Sequence, residues 1–349
     1  MFVSCNKDDE LNDIPVNCTI IVYMAADNDL SDDAWDNLKS IQSGYIEKGT
    51  NLIVFIDPTN DYPHIFQIMK GVNKRIKIYP EFNSVDAGRM RQVINDIIGM
   101  YPAPGYGLVL WSHGTSWLPA GVQLRSFGED HGYQMDIHAL ADALPVKFDF
   151  ILMDACLMGS VEVAYELRNK ADFIIASPTE TLYMGFPYGQ IIPELLQDEP
   201  DLKKVATSYF NYYDQLPYAF RSASVSLINT SELEQLALIT NRLISGQAFE
   251  AEMFDRKSVQ RLDVYEEQYT FDFLDFIEKA FPDSETGLLK EQLDKTVPYK
   301  AHTPEFLGQF AISAFCGLSC YIPMKSGELN GFYRQLAWCE DSGFYHLFQ

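Results

Sequence analysis

The sequence predicts an α/β protein: an open, mostly parallel sheet with helices on both faces. Two observations carry this prediction. Short, strongly apolar runs recur between residues 18 and 230, among them Cys18–Ala25, Asn51–Ile56, Tyr106–Trp111 and Phe148–Met153. Runs of that length without polar alternation suit strands that are covered on both sides. Amphipathic helical stretches alternate with them, which is the pattern of crossover-linked parallel strands.

In chain order, residues 1–17 read as a tether ending near Pro15. Cys18–Ala25 is the first strand; Asp27-Asn28-Asp29 breaks it, and Ser31 is placed to cap a helix reaching about Gly44. Asn51–Ile56 is closed by Asp57-Pro58, and His64–Met69 with Arg75–Tyr79 forms a hairpin across Lys70-Gly71-Val72-Asn73. An amphipathic helix spans Asp86 to about Met100 and stops at Pro102 and Pro104. Tyr106–Trp111 runs directly into Ser112-His113-Gly114. Thr115 to about Met135 is a loop rich in Gly, Pro and charge, long for a compact domain, and such loops are usually functional or disordered. A short helix at Asp136–Leu144 precedes the buried strand Phe148–Met153, which ends in Asp154-Ala155-Cys156. Ser160 caps the next helix. Asp172–Ala176 is a strand feeding the loop Ser177–Gly189; helices at Gln190–Leu196 and Asp201–Gln215 and a strand at Ala223–Ile228 follow. Beyond Ser231 helices dominate, with one late strand at Gly317–Pro323. The expected organisation is thus a tether (1–17), an α/β domain (18–230) and a mainly helical region (231–349) packing on it.

The formal net charge of −23 argues against nucleic acid, which needs Lys and Arg for phosphate, and against anionic membrane surfaces. It would attract basic peptides at low salt, although solubility alone accounts for it. Six cysteines spread over the chain make no disulfide scaffold, and Cys316 and Cys320 read as core. The segment FVSC, ending at Cys5 and followed by NKDDE, resembles the end of a bacterial lipobox and its acidic tether. It predicts a lipid anchor at Cys5 and a secreted or cell-envelope location in a bacterium; a frayed tail is the alternative. No run is long and apolar enough to span a bilayer.

Open parallel sheets place their sites beyond the C-terminal strand ends. That rule selects the loops after Trp111, Met153 and Ala176, with His113 in the first and Cys156 in the second. A cysteine where a strand meets a helix N-terminus is favoured as thiolate; a small buried thiol filling the strand end is the plain alternative. Cys with His is the minimal apparatus of a thiol hydrolase. Gly114, lacking a side chain, lets a substrate approach its N–H, and the Gly114 and Cys156 amides could form an oxyanion hole.

The segments LVLWSHGTSW (Leu108–Trp117) and FDFILMDACLMGSVEVAYEL (Phe148–Leu167), which includes Glu162, resemble the two signature blocks of the clostripain family of cysteine peptidases. The family belongs to the caspase–legumain–gingipain–separase group. Ala25–Leu30, the Ala176–Tyr188 loop and GLSCYIP near the C-terminus are also similar, so the resemblance spans about residues 18–325. The two blocks are specific in combination and weak alone. The resemblance implies a caspase-like fold, Cys156 as nucleophile, and His113 as the acid/base that protonates the leaving amine, with no third orienting residue needed. It implies polypeptide substrates cut after Arg, with Lys as the second candidate. Asp154 and Cys156 face the same side of a strand, so a carboxylate beside the nucleophile can receive that basic side chain. In the family this Asp and a Thr from the loop after the next strand line the pocket; Thr181 is the match.

Family members also cut themselves between the two blocks. Arg125-Ser126 is the candidate bond, giving a light chain with His113 and a heavy chain with Cys156, so the active form is expected as a monomer or a self-cleaved pair. No cofactor is required by this chemistry. Some members need calcium, but Glu129, Asp130, His131 and His138 match no calcium loop, and the acids among them read as a solvated face. His64, His302 and His346 have no partner visible in the sequence. Two other functions stay open: a non-catalytic surface-binding lipoprotein on a peptidase scaffold, and a thiol-dependent transpeptidase or acyltransferase.

Overall fold

Along the first strand, Ile20, Val22 and Met24 enter one apolar layer and Ile21, Tyr23 and Ala25 the other, all without solvent exposure. A strand apolar on both sides has to be covered on both sides. The computed structural model describes residues 16–118, 127–251, 253–324, 327 and 329–348, and Cys5, Arg125 and Ser126 lie outside them.

The described strands are β1 (Cys18–Ala26), β2 (Thr50–Pro58), β3 (His64–Met69), β4 (Val72–Ile78), β5 (Gly105–Trp111), β6 (Phe127–Asp130), β7 (Tyr133–Met135), β8 (Phe148–Asp154), β9 (Ala171–Ala176), β10 (Ser224–Asn229), β11 (Phe271–Asp272), β12 (Tyr299–His302), β13 (Glu305–Phe306), β14 (Phe310–Ala311) and β15 (Ser319–Cys320). A nine-stranded sheet runs β12-β10-β9-β8-β5-β1-β2-β3-β4. Its central members β9, β8, β5, β1 and β2 are parallel, and antiparallel strands extend both ends.

Helices α1 (Ser31–Gly44), α5 (Tyr188–Leu195) and α6 (Leu202–Asp214) cover one face. Helices α2 (Ala87–Met100), α3 (Ile137–Ala143), α4 (Val161–Glu166), α7 (Leu233–Ile244), α8 (Phe273–Ala280) and α9 (Gly287–Thr296) lie on the other. Side-chain caps start several of them: Asp86, Asp136, Ser160 and Asp201 each accept an N–H from the first turn, worth about 1 kcal/mol apiece. Ser31 does not cap α1 as the sequence suggests. Leu30 holds the N-cap position, and the Ser31 hydroxyl accepts the Thr59 N–H at 3.0 Å, tying α1 to the end of β2.

Three further differences bear on the site. Part of the long loop before Met135 is ordered as the β6–β7 hairpin, which docks on the His113 segment through a Gly114–Phe127 bridge. The late strand is shorter than Gly317–Pro323: only Ser319–Cys320 pairs, in a two-stranded ribbon with β11. The region after 231 also contributes β12 to the main sheet, beside β10.

Candidate active site

β5 and β8 are parallel neighbours, and Trp111 stands opposite Asp154 in their register. The two chains leave the sheet together, so His113 and Cys156, each two residues further on, line one cavity of about 230 Å³ with Asp154, Thr181, Tyr183 and Gly185.

The His113 segment is fixed from three sides. The Ser112 hydroxyl donates to the Ala25 carbonyl at 2.6 Å, the Ser112 N–H donates to the Asp154 carbonyl at 3.3 Å, and the Gly128 N–H donates to the His113 carbonyl at 2.9 Å. Nε2 of His113 lies 2.6 Å from Oδ1 of Asp29, an ion pair when the ring is protonated. Gly114 packs directly on the cysteine: a Cβ there would stand 2.8 Å from the Cys156 carbonyl oxygen and 2.9 Å from the Ala155 Cβ.

The Cys156 turn is held as firmly. Leu157 takes a positive φ of 63°, a conformation that a branched side chain adopts only under constraint. The constraint is a short backbone zipper, in which the Leu157 and Gly159 N–H groups donate to the Thr179 and Ser177 carbonyls, each at 2.9 Å. Behind it, the buried Glu162 accepts the Tyr321 N–H (2.8 Å) and the Tyr333 hydroxyl (2.9 Å), stapling the GLSCYIP segment to the cysteine block. Burial pushes the Glu162 carboxyl up to about 7.

Cys156 is half-buried. Its sulfur receives the Thr181 N–H at 3.2 Å and donates to the Thr181 carbonyl at 3.5 Å. Burial pushes its thiol up to about 12, with the Glu180 and Asp154 carboxylates adding to the effect and the Thr181 N–H opposing it. In this state the sulfur therefore keeps its proton at neutral pH.

Asp154 is buried at the cavity wall. Its Oδ2 accepts the Phe186 N–H (3.0 Å) and the Tyr188 hydroxyl (2.7 Å), and burial pushes its carboxyl up to about 6. Gly185, at φ 64°, passes so close that a Cβ would sit 2.6 Å from Asp154 Oδ2. Thr181 meets the site mainly through its backbone, because its hydroxyl donates to the Ala155 carbonyl at 3.3 Å.

Sequence reasoning missed Asp29, Tyr188 and Glu180. Asp29 follows β1, the other neighbour of β5, so the strand-end rule would have found it had the strand order been known. The acids downstream of His113 are not the solvated face expected. Asp130 is buried and accepts the Ser84 N–H and hydroxyl (2.5 and 3.0 Å), while His131 leans on Asp27 at 2.9 Å. Three groups near the site have the spacing of ligands: Asp29, His113 and Glu129 at the cavity side, and, behind it, Asp27, Asp57 and Glu81 together with Asp27, Asp130 and His131. The five described cysteines are free. Among the described residues no helix is long and apolar enough to cross a membrane.

This sheet, with its site at the ends of adjacent parallel strands, puts the molecule among the caspase-like α/β proteins. Within that class the chain belongs to the clostripain family, peptidase C11, a family of cysteine peptidases whose profile matches residues 22–284. It is 24% identical to clostripain of Hathewaya histolytica over 51% of this chain, a match that spans 42% of that protein's length. A secreted C11 cysteine protease of Bacteroides thetaiotaomicron, iotapain, has the same fold at TM-score 0.85 and 27% identity, covering 94% of this chain and 99% of that one. An inactive zymogen C11 protease of Parabacteroides distasonis is similar at TM-score 0.81 and 30% identity, covering 93% and 97%.

Proposed function

We propose that the protein is a cysteine endopeptidase that hydrolyses peptide bonds after Arg, with Lys second, using Cys156 and His113. The Trp111–Asp154 register supports this reading most directly, because from it both candidate groups and a buried carboxylate reach one cavity. The basic side chain of the substrate enters beside Asp154, against the Thr181–Gly185 loop. A cation there would also favour the ionised form of a carboxyl that burial otherwise raises.

In the reaction, Cys156 Sγ attacks the scissile carbonyl carbon. Because the thiol holds its proton at rest, deprotonation accompanies the attack, and His113 passes that proton to the leaving amine as the C–N bond breaks. The Gly114 and Cys156 amides receive the oxyanion. Water then cleaves the thioester, its hydroxyl going to the acyl carbon and its proton returning to sulfur. Asp29 orients the His113 ring.

Self-cleavage after Arg125 activates the chain, and a relative described as an inactive zymogen is consistent with that. The protein acts outside the cytoplasm, anchored at Cys5; relatives described as secreted support the location. The test is N-terminal sequencing of purified wild type beside Cys156→Ala, with turnover of an Arg-aminoacyl dye amide. The expected result is a second N-terminus at Ser126 and turnover in wild type alone. No turnover after attempted activation would favour a binding role on a peptidase scaffold.

A further inference from the structure

A second cavity, of about 340 Å³, lies between α1, α6 and the loop that leads into α5. It adjoins the catalytic cavity, because Tyr183 lines both. Tyr183 is two residues beyond Thr181, whose N–H meets the Cys156 sulfur at 3.2 Å. One part of the lining is acidic, from Asp33 and Asp36 of α1, and another is aromatic, from Tyr183 and Tyr212. The Asp36 carboxylate pairs with Lys39 at 2.7 Å, whereas Asp33, half-buried, has no cation beside it among the described residues. Burial, then the Asp36, Asp32 and Asp29 carboxylates, raise the Asp33 carboxyl above its ordinary range. A cation entering the cavity would relieve that repulsion. The space is also preformed. Ser40 of α1 accepts the Gly189 N–H at 3.0 Å, and Gly44 lies so close to α5 that a Cβ would stand 2.9 Å from the Tyr188 carbonyl oxygen. Tyr212 packs edge-on against Tyr213 at 5.1 Å, and the Tyr213 hydroxyl donates to the Gly185 carbonyl at 2.7 Å.

We propose that this second cavity is a substrate subsite for a second basic side chain, Arg or Lys, carried by a residue close in sequence to the scissile bond. Acids alone would not make a subsite; here they share a concave, rigid cavity with aromatic rings, next to the catalytic one. Asp33 pairs the incoming charge, and the Tyr183 and Tyr212 rings pack the apolar stem and face the cation. An extended peptide advances about 3.3–3.6 Å per residue, so a residue within about three positions of the bond reaches the space beyond Tyr183. The substrate class is thereby narrowed from single basic residues to closely spaced pairs of them. The inference rests on the peptidase reading above, because that reading places the scissile bond at Cys156.

The test uses the active full-length enzyme and quenched-fluorescence peptides with Arg before the cleaved bond. Each position within about three residues of that bond is set in turn to Arg, norleucine or Glu, and mass spectrometry assigns the cut. At one position Arg should raise kcat/KM at the original bond about 5- to 20-fold over norleucine, chiefly through KM, and Glu should lower it. Raising sodium chloride from about 50 to about 500 mM should shrink that ratio. Asp33→Asn should bring the ratio below about twofold. Asp36→Asn, at an exposed position, should fold normally and reduce the ratio by a smaller factor; it decides the matter if Asp33→Asn fails to fold. Equal rates for Arg and norleucine at every position, or a ratio unchanged in these variants, would overturn the proposal. Absence of any cut after Arg would instead contradict the peptidase reading. Fluorescence anisotropy of the same peptides on the wild-type chain then decides the subsite, through the same comparison of Arg with norleucine in wild type and Asp33→Asn.

Discussion

Nε2 of His113 and Oδ1 of Asp29 are 2.6 Å apart, joining the loop after β5 to the loop after β1. The Asp29 side chain is 81% exposed, so its charge is heavily screened and is worth at most about 1 kcal/mol. Its larger effect is to fix the plane of the ring. Asp29→Ala is predicted to lower kcat about 3- to 10-fold at nearly constant KM, and Asp29→Asn to recover most of that loss through its amide. Steady-state kinetics on an Arg substrate checks this; a pure KM effect would contradict it.

The resting thiol gives a second prediction. With Cys156 pushed up to about 12 by burial, alkylation of the uncut, substrate-free chain by iodoacetamide should be slow at pH 7.5. The rate should keep climbing through pH 10. A plateau reached between pH 6 and 7.5 would mean a preformed thiolate–imidazolium pair.

Gly114→Ala forces a methyl group against the Cys156 carbonyl and Ala155, neither of which is free to move. Turnover is predicted to fall about 100-fold and stability by about 1–3 kcal/mol. Urea unfolding and kinetics separate the two effects, and full activity with full stability would show that the contact relaxes.

Asp154→Asn retains an oxygen for Phe186 and Tyr188 but loses the charge. Arg substrates should lose about 100-fold or more in kcat/KM, chiefly through binding, while the variant stays as stable as wild type at pH 8. Equal losses on Arg and on neutral substrates would point to a structural role instead.

Glu162 sets a pH dependence of stability. Its folded-state value near 7 lies above the ordinary 4.5, so the native chain binds this proton more tightly than the unfolded one. Stability from this group is therefore fully present below about pH 4.5 and is lost as pH rises toward about 7. Glu162→Gln should flatten that slope in urea unfolding between pH 5 and 8; unchanged slopes would place the titration elsewhere.

What the sequence displayed, and what it hid, follows from the range of the forces involved. Trp111 and Met153 end uninterrupted apolar runs, so the strands carrying His113 and Cys156 were legible, as were the cap Ser160 and the helix starts near Asp86 and Asp136. Strand order was not, because periodicity along a strand says nothing about its neighbour. Asp29 therefore went unpaired although its segment was recognised, and Asp27, Asp57 and Glu81 come together from three separate segments. The β6–β7 hairpin is polar and brief, held by the Gly114–Phe127 bridge and Asp130 rather than by its own pattern. The apolar GLSCYIP run suggested a full strand, yet much of it is ordered by tertiary contacts, Ser319 with Gly159 and Tyr321 with Glu162.

The most direct measurement is the mass-spectrometric cleavage profile of a mixed peptide library treated with wild type and with Cys156→Ala. The account predicts new C-termini at Arg, and fewer at Lys, from wild type and none from the variant. Cuts without a preceding basic residue, or the same cuts from Cys156→Ala, would contradict it.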